Sequence, residues 1–294
     1  MTEGDGTGMA VCEVCFRRCA LAEGQAGACH ARVCRDGEVR PAFYGRLSSL
    51  ALDPIEKKPL YRFYPGSMIL SAGSLGCNLR CAFCQNHTIA QADEKGRFSV
   101  PTDAVSPEEL TAAAEYYRRK GNIGIAFTYN EPLVGYEYVR DTAKLAREKG
   151  LKCVLVTNGT AALPVLEETA PYIDAMNIDL KGFTDRYYRE VLKGDRQMVL
   201  AFIREAVRRC HVELTTLIVP GENDSREEML ELSGWVAGLR DVYGGKAGKE
   251  IPLHVSRFFP RYRMSDREPT SVKDVYELLE TARRNLKYVY PGNC

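Results

Sequence analysis

From residue 67 onward the chain alternates between two textures of apolar and polar positions. Short, nearly continuous apolar runs occur at 67–73 (SMILSAG), 123–129 (IGIAFTY), 151–157 (LKCVLVT), 172–180 (YIDAMNIDL), 211–219 (HVELTTLIV) and 252–259 (PLHVSRFF). Runs of this length and composition predict strands buried on both faces. Between and after them lie stretches of helical character at 106–120, 133–149, 161–169, 184–192, 199–209, 225–242 and 271–286. The first has Ser106 as N-cap, Pro107 in its first turn and Gly121 as its stop. About six β/α units result, which implies a parallel sheet with helices outside it. Six units are too few to close an eight-stranded barrel. The predicted fold class is α/β, a partial (β/α)6 TIM-like barrel with its site at the C-terminal strand ends.

Upstream the pattern differs. Residues 12–44 have little apolar periodicity and are dense in Cys, Gly and Arg. Such a stretch cannot bury a core of its own, and a metal staple is the usual remedy. Residues 53–65 (DPIEKKPLYRFYP) hold three prolines and read as an extended connector. The expected organisation is a flexible tail at 1–10, a cysteine-rich segment and connector at 11–65, and the barrel core at 66–294. With 40 basic and 39 acidic side chains, the charge balance offers no case for a nucleic-acid groove or an anionic membrane surface. No apolar run approaches the ~18 residues of a membrane span. Residues 1–9 lack a basic-then-apolar signal pattern, so a cytoplasmic location is expected. Eleven cysteines in that reducing compartment are not a disulfide framework, and eight of them fall at 12–34 and 77–84, which points to metal.

The segment GCNLRCAFCQN spaces Cys77, Cys81 and Cys84 as C-x3-C-x2-C, directly after the first strand of the β/α series. A [4Fe-4S] cluster is usually held by four thiolates, one per iron. Three leave one iron open, as in a catalytic metal site that lacks its last protein ligand. Such an iron can chelate a small molecule and pass it an electron. Zinc would need a fourth ligand, and His87 is the nearest candidate after Cys84.

These residues resemble the radical SAM superfamily. CNLRCAFCQN, TYNEP, TNG and IDLK are similar to the branch with the glycyl-radical-enzyme (pyruvate formate-lyase) activating enzymes. The amino-terminal CxxCxxxC with DPIEKKPL, FYPGS and HVSRFFPRY looks like the AmmeMemoRadiSam-system radical SAM enzyme. The resemblance implies a [4Fe-4S] cluster that cleaves S-adenosylmethionine (SAM) to methionine and a 5′-deoxyadenosyl radical. It also implies that Phe83, the aromatic before the third cysteine, lies near the adenine. Glu131, with Asn130 beside it, is the candidate partner of the methionine ammonium, because a carboxylate next to a cation makes a charge-assisted hydrogen bond. Thr157 and Asn158 are candidates for the SAM ribose or carboxylate, although Thr-Asn-Gly is also ordinary turn chemistry. The glycyl-radical activators carry an Asp where this chain has Val156. Asp179 and Lys181 alternate with apolar neighbours and share one side of their strand. They face SAM if that side is the barrel interior. His254 shares a face with Ser256 and Phe258, opposite Arg257, and is the last candidate cofactor residue.

The amino-terminal Cys12, Cys15, Cys19 and Cys29 form a second candidate metal site, for zinc or an auxiliary [4Fe-4S] cluster, with Cys34 as a spare ligand. Cys153 and Cys210 read as packing residues, and Cys294 is unassigned. Three functions compete: a radical SAM enzyme acting on an unidentified substrate, an activator of a glycyl radical enzyme, and a non-catalytic iron–sulfur or zinc scaffold. The expected partners are SAM, an electron donor such as flavodoxin or ferredoxin, and the Memo-like and AMMECR-type proteins that give the resembled family its name. Nucleic acid and membrane are not expected.

Overall fold

The computed structural model describes residues 8–240 and 248–294. At its centre is one sheet of eight strands in unbroken chain order. They are β1 (Ser49–Pro54), β2 (Met68–Gly73), β3 (Asn122–Phe127), β4 (Lys152–Thr157), β5 (Ala175–Asp179), β6 (His211–Ile218), β7 (Leu253–Arg257) and β8 (Val289–Gly292). β2 to β8 run parallel, and β1 pairs antiparallel with β2. Parallel neighbours need a crossover. Six helices supply it, one after each of β2 to β7: α1 (Pro107–Tyr116), α2 (Tyr136–Glu148), α3 (Leu163–Thr169), α4 (Arg196–Ala206), α5 (Arg226–Ala237) and α6 (Val272–Ala282).

All six predicted strands are present, and the sheet gains two more at its edges. β1 draws the start of the expected connector into the sheet, and Ile55 and Leu60 beyond it are fully buried. The helix ends follow local chemistry. Ser106 and Glu109 form a reciprocal capping box at the start of α1. Gly121, at φ +82°, ends the 3-10 turn that extends α1, in the left-handed region where glycine has no steric cost. The predicted helix at 184–192 is a short turn, Asp185–Tyr187, widening into a π turn, Tyr188–Leu192. α5 stops at Ala237, and residues 241–242 of the predicted helix lie outside the described residues. So do residues 1–7 of the expected tail, whose Ala10 is already paired with Leu21. Among the described residues no helix is long and apolar enough to cross a membrane.

The cysteine-rich segment borrows the barrel's core rather than lacking one. Cys12, Val14 and Leu47 pack in the main hydrophobic core. Arg32 is buried and grips both carboxylate oxygens of Glu137 on α2, at 2.6 and 2.7 Å. The Val14 carbonyl accepts from Ala162 N just beyond β4. The argument for a metal staple in a coreless segment therefore does not apply.

Candidate functional site

The loop after β2 carries the three clustered cysteines, and its shape is fixed by groups at the end of β3. Asn130 accepts from Ser74 N through its Oδ1 (3.0 Å) and donates from Nδ2 to the Gly76 carbonyl (3.1 Å). Gly76 sits at φ +90°, and a Cβ there would stand 2.7 Å from the Cys29 carbonyl oxygen and from Ala31 Cβ. Only glycine lets the loop turn and admit the amino-terminal segment so closely. Cys77, Cys81 and Cys84 then line a cavity of about 450 Å³, within the size range of small-molecule sites.

Of the eight cofactor residues predicted from sequence, seven line this cavity: Phe83, Asn130, Glu131, Thr157, Asn158, Asp179 and Lys181. They come from the ends of β3, β4 and β5 and from the cysteine loop. His254 does not line it. His254 Nε2 is 2.7 Å from Glu213 Oε2, near the start of β7. Glu213 also contacts His211 Nε2 (3.0 Å) and accepts from the backbone of Tyr61 (3.0 Å) and Arg62 (2.8 Å). Burial alone would raise the Glu213 pKa, but these partners hold it down at about 2. His254 thus belongs to a buried hydrogen-bonded group around Glu213, while Ser256, two residues further along β7, reaches the cavity.

Glu131 is held on the wall by three donors. Its Oε1 accepts from Leu133 N (3.1 Å) and Thr157 Oγ1 (2.7 Å), and its Oε2 from Asn158 N (2.7 Å). Burial still pushes its carboxyl up to about 7, against the pull of those donors. Asp179 and Lys181 pair at 2.7 Å. Burial disfavours the Lys181 cation, but Asp179 and the nearby Cys81 outweigh it and raise its pKa. Asn158 Nδ2 donates to Cys77 Sγ (3.6 Å) and to Asn78 Oδ1 (3.0 Å). Phe83 is buried edge-on to Phe258. Burial raises the pKa of all three thiols, that of Cys81 to about 12.

Sequence reading assigned no role to a group that includes Lys58 and Tyr129, both of which line the cavity. Lys58, buried, donates to Asp53 Oδ2 (2.9 Å), and Tyr129 OH donates to the same oxygen (2.6 Å). Tyr129 has φ +73°, a strained conformation for a bulky side chain and one that clusters at functional sites. Lys57 and Lys58, which follow β1, and Asn293, which follows β8, all line the cavity, so both edges of the sheet contribute to it.

The donor set suits a cluster better than a single ion. Cubane thiolates each bind a separate iron, whereas one zinc would need its ligands ~2.3 Å from a common point. Among the described residues no three His, Cys, Asp or Glu side chains are grouped to hold one metal ion. No histidine lines the cavity, and the ring of His87 stacks on Tyr262. Of the carboxylates on the wall, Glu131 is taken by three donors and Asp179 by Lys181.

Residues 73–233 match the family model of the Radical SAM superfamily. An uncharacterized protein of Methanocaldococcus jannaschii is 41% identical over 290 residues, covering 96% of this chain and 80% of that protein. Pyruvate formate-lyase 1-activating enzyme of Escherichia coli K12 is 24% identical over 170 residues, covering 57% of this chain and 68% of the enzyme. Among solved structures, Streptococcus suis SuiB bound to S-adenosylmethionine superposes with a TM-score of 0.56 at 16% identity, a likeness of fold over 75% of this chain and 49% of SuiB. The family model spans more than half of the chain, and the chain belongs to the Radical SAM superfamily.

Proposed function

We propose that this chain is a radical SAM enzyme of the AmmeMemoRadiSam type, with a [4Fe-4S] cluster on Cys77, Cys81 and Cys84 and SAM in the adjoining cavity. The supporting observation is that three thiols of one loop face a cavity whose remaining wall mixes apolar side chains with Glu131, Asp179 and Lys181 and offers no histidine as a fourth ligand. When bound, the cluster supplies one electron to the SAM sulfonium, whose S–C5′ bond breaks to methionine and a 5′-deoxyadenosyl radical that takes hydrogen from the substrate.

The chain's own residues prepare this step. Buried, neutral thiols release their protons when iron binds. The Lys181 cation favours the thiolate forms of Cys81 and Cys84. Glu131, held still by Leu133, Thr157 and Asn158, offers a carboxylate to the SAM ammonium, with Asn130 beside it. Phe83 packs against the adenine. Asp179 and Thr157 supply polar groups to the rest of the SAM molecule, and Asn158 steadies Cys77. The substrate occupies the part of the cavity lined by Lys58 and Tyr129. An electron donor such as flavodoxin or ferredoxin, and Memo-like and AMMECR-type proteins, are the proposed partners in the cytoplasm. Activation of a glycyl radical enzyme is less well supported, because Val156 lies on the cavity wall where those activators carry an Asp.

The test is anaerobic reconstitution followed by reduction with SAM present. The wild type should yield 5′-deoxyadenosine, and the Cys81→Ala variant none. A wild type that binds iron yet leaves SAM intact would overturn the proposal and favour the scaffold reading.

A further inference from the structure

The amino-terminal cysteines are not scattered over the surface. Cys12, Cys15 and Cys29 are buried, and Cys19 is partly exposed. The Cys19 thiol accepts a hydrogen bond from Ala28 N (3.5 Å), which brings it beside the Cys29 backbone. Cys12, Cys15 and Cys29 lie within electrostatic reach of one another. Cys34 stands apart on the hairpin Arg32–Arg35 and Glu38–Pro41, its thiol directed at Glu23 Oε2 (3.8 Å). All of these cysteines are free thiols.

Their position matters more than their number. A structural staple works wherever it ties two segments together. This group lies directly against the loop that carries Cys77. The Cys29 carbonyl abuts Gly76, Cys15 bridges to Ala161 beyond β4, and Arg17 Nε donates to the Asn78 carbonyl (2.7 Å). Arg17, which makes that contact, lies between Cys15 and Cys19; the Asn78 Oδ1 in turn accepts from Asn158 Nδ2 (3.0 Å), and that same nitrogen donates to Cys77 Sγ (3.6 Å). Arg17, Asn78 and Asn158 therefore form a hydrogen-bonded path from the amino-terminal cysteine segment to Cys77.

We propose that Cys12, Cys15, Cys19 and Cys29 hold a second iron–sulfur cluster, coupled through Asn78 and Asn158 to the centre on the Cys77 loop. The coupling, though not the second site, rests on the cluster assigned to that loop above. Four thiols complete the ligand set of a [4Fe-4S] cluster, so this centre has no open iron and its chemistry is electron transfer. One electron from a low-potential one-electron donor protein enters near the half-exposed Cys19 and leaves toward Cys77. No proton or atom moves with it. A single zinc ion on the same four sulfurs is the competing occupant, and the metal content of the reconstituted protein separates the two.

The test uses the full chain reconstituted anaerobically with iron and sulfide in the presence of zinc. Wild type should hold about eight irons and eight sulfides per chain, and a Cys77→Ala, Cys81→Ala, Cys84→Ala triple variant about four of each. The Cys34→Ala variant should keep the full wild-type load. In the fully reduced wild type, the electron paramagnetic resonance spectrum should show two interacting spins, and the triple variant one isolated spin. Asn78→Ala should keep the full iron load while weakening the interaction. One zinc and no iron in the triple variant would overturn the second cluster, as would a wild type with about four irons that all vanish in the triple variant. Four irons that persist in the triple variant, in a wild type that also holds only four, would instead remove the cluster from the Cys77 loop and leave this site standing.

Discussion

Replacing Glu131 with Gln perturbs a side chain fixed by three donors while keeping its shape. The carboxylate accepts from Leu133 N, Thr157 Oγ1 and Asn158 N at 3.1, 2.7 and 2.7 Å. An amide can keep its oxygen toward Asn158 N, with its NH2 then facing Leu133 N and Thr157. The Thr157 hydroxyl can rotate to accept, but the Leu133 N–H cannot, and one unpaired buried donor costs about 1–3 kcal/mol. The larger effect falls on SAM. Losing a charge-assisted hydrogen bond to its ammonium removes about 1.5–3 kcal/mol, or roughly 10- to 150-fold in affinity. The pH dependence separates this role from a structural one. Glu131 has its pKa raised from 4.5 to about 7, so the folded protein retains a proton there across that window that the unfolded chain has lost. Its contribution to folding stability is present below 4.5 and declines as pH rises toward about 7. SAM must displace that proton, so wild-type affinity should rise with pH, by up to about tenfold per unit, and level off above about 7. Equilibrium dialysis of reconstituted protein with labelled SAM measures both quantities. The Glu131→Gln protein should bind weakly with a flat profile. Wild-type affinity and an unchanged pH profile in that variant would refute the assignment.

Lys58→Met leaves Asp53 with Lys57 at 3.5 Å and the Tyr129 hydroxyl as its remaining partners and should cost about 1–3 kcal/mol in urea denaturation; an unchanged stability would show that the Lys58–Asp53 pair is not structural. Gly76→Ala forces a Cβ to within 2.7 Å of the Cys29 carbonyl at φ +90°, and should lower the melting temperature and speed proteolysis of the amino-terminal segment; an unchanged cleavage rate would count against the tight docking. His254→Gln should destabilise the fold by roughly 1–3 kcal/mol through Glu213 while leaving SAM affinity intact, and a loss of SAM binding without a loss of stability would return His254 to the site.

The parts of this architecture that were legible in the sequence are those with a local signature. The six inner parallel strands are continuous apolar runs, and the cysteine spacing carries its own chemistry. β1 and β8 were not legible. β1 ends in Asp53 and Pro54, which together with Pro59 and Pro65 read as a connector, and β8 is four residues that include Pro291 and Gly292. Their strand character comes from pairing with a neighbour, a tertiary effect that overrides weak local preference. The Asp53–Lys58–Tyr129 group was hidden for the same reason: its members lie 5 and 71 residues apart in sequence, and a charged connector ordinarily faces solvent. For His254 the face was legible but the depth was not. Alternation assigns His254 and Ser256 to one side of β7, yet only Ser256 lies far enough along the strand to reach the cavity. The amino-terminal segment gave no sign that its apolar residues would join the barrel's core, because that depends on Gly76 and on the end of β4 being close by.

The most direct test of the central claim is electron paramagnetic resonance of the reduced cluster on the Cys77 loop, recorded before and after SAM is added. To remove the second signal, the measurement is made on a Cys12→Ala, Cys15→Ala variant that retains its fold by circular dichroism. If SAM chelates an iron left open by three thiolates, the spectrum should change shape and g values on addition, and isotopic labelling of the SAM amine should alter its hyperfine couplings. An identical spectrum with and without saturating SAM would contradict the account.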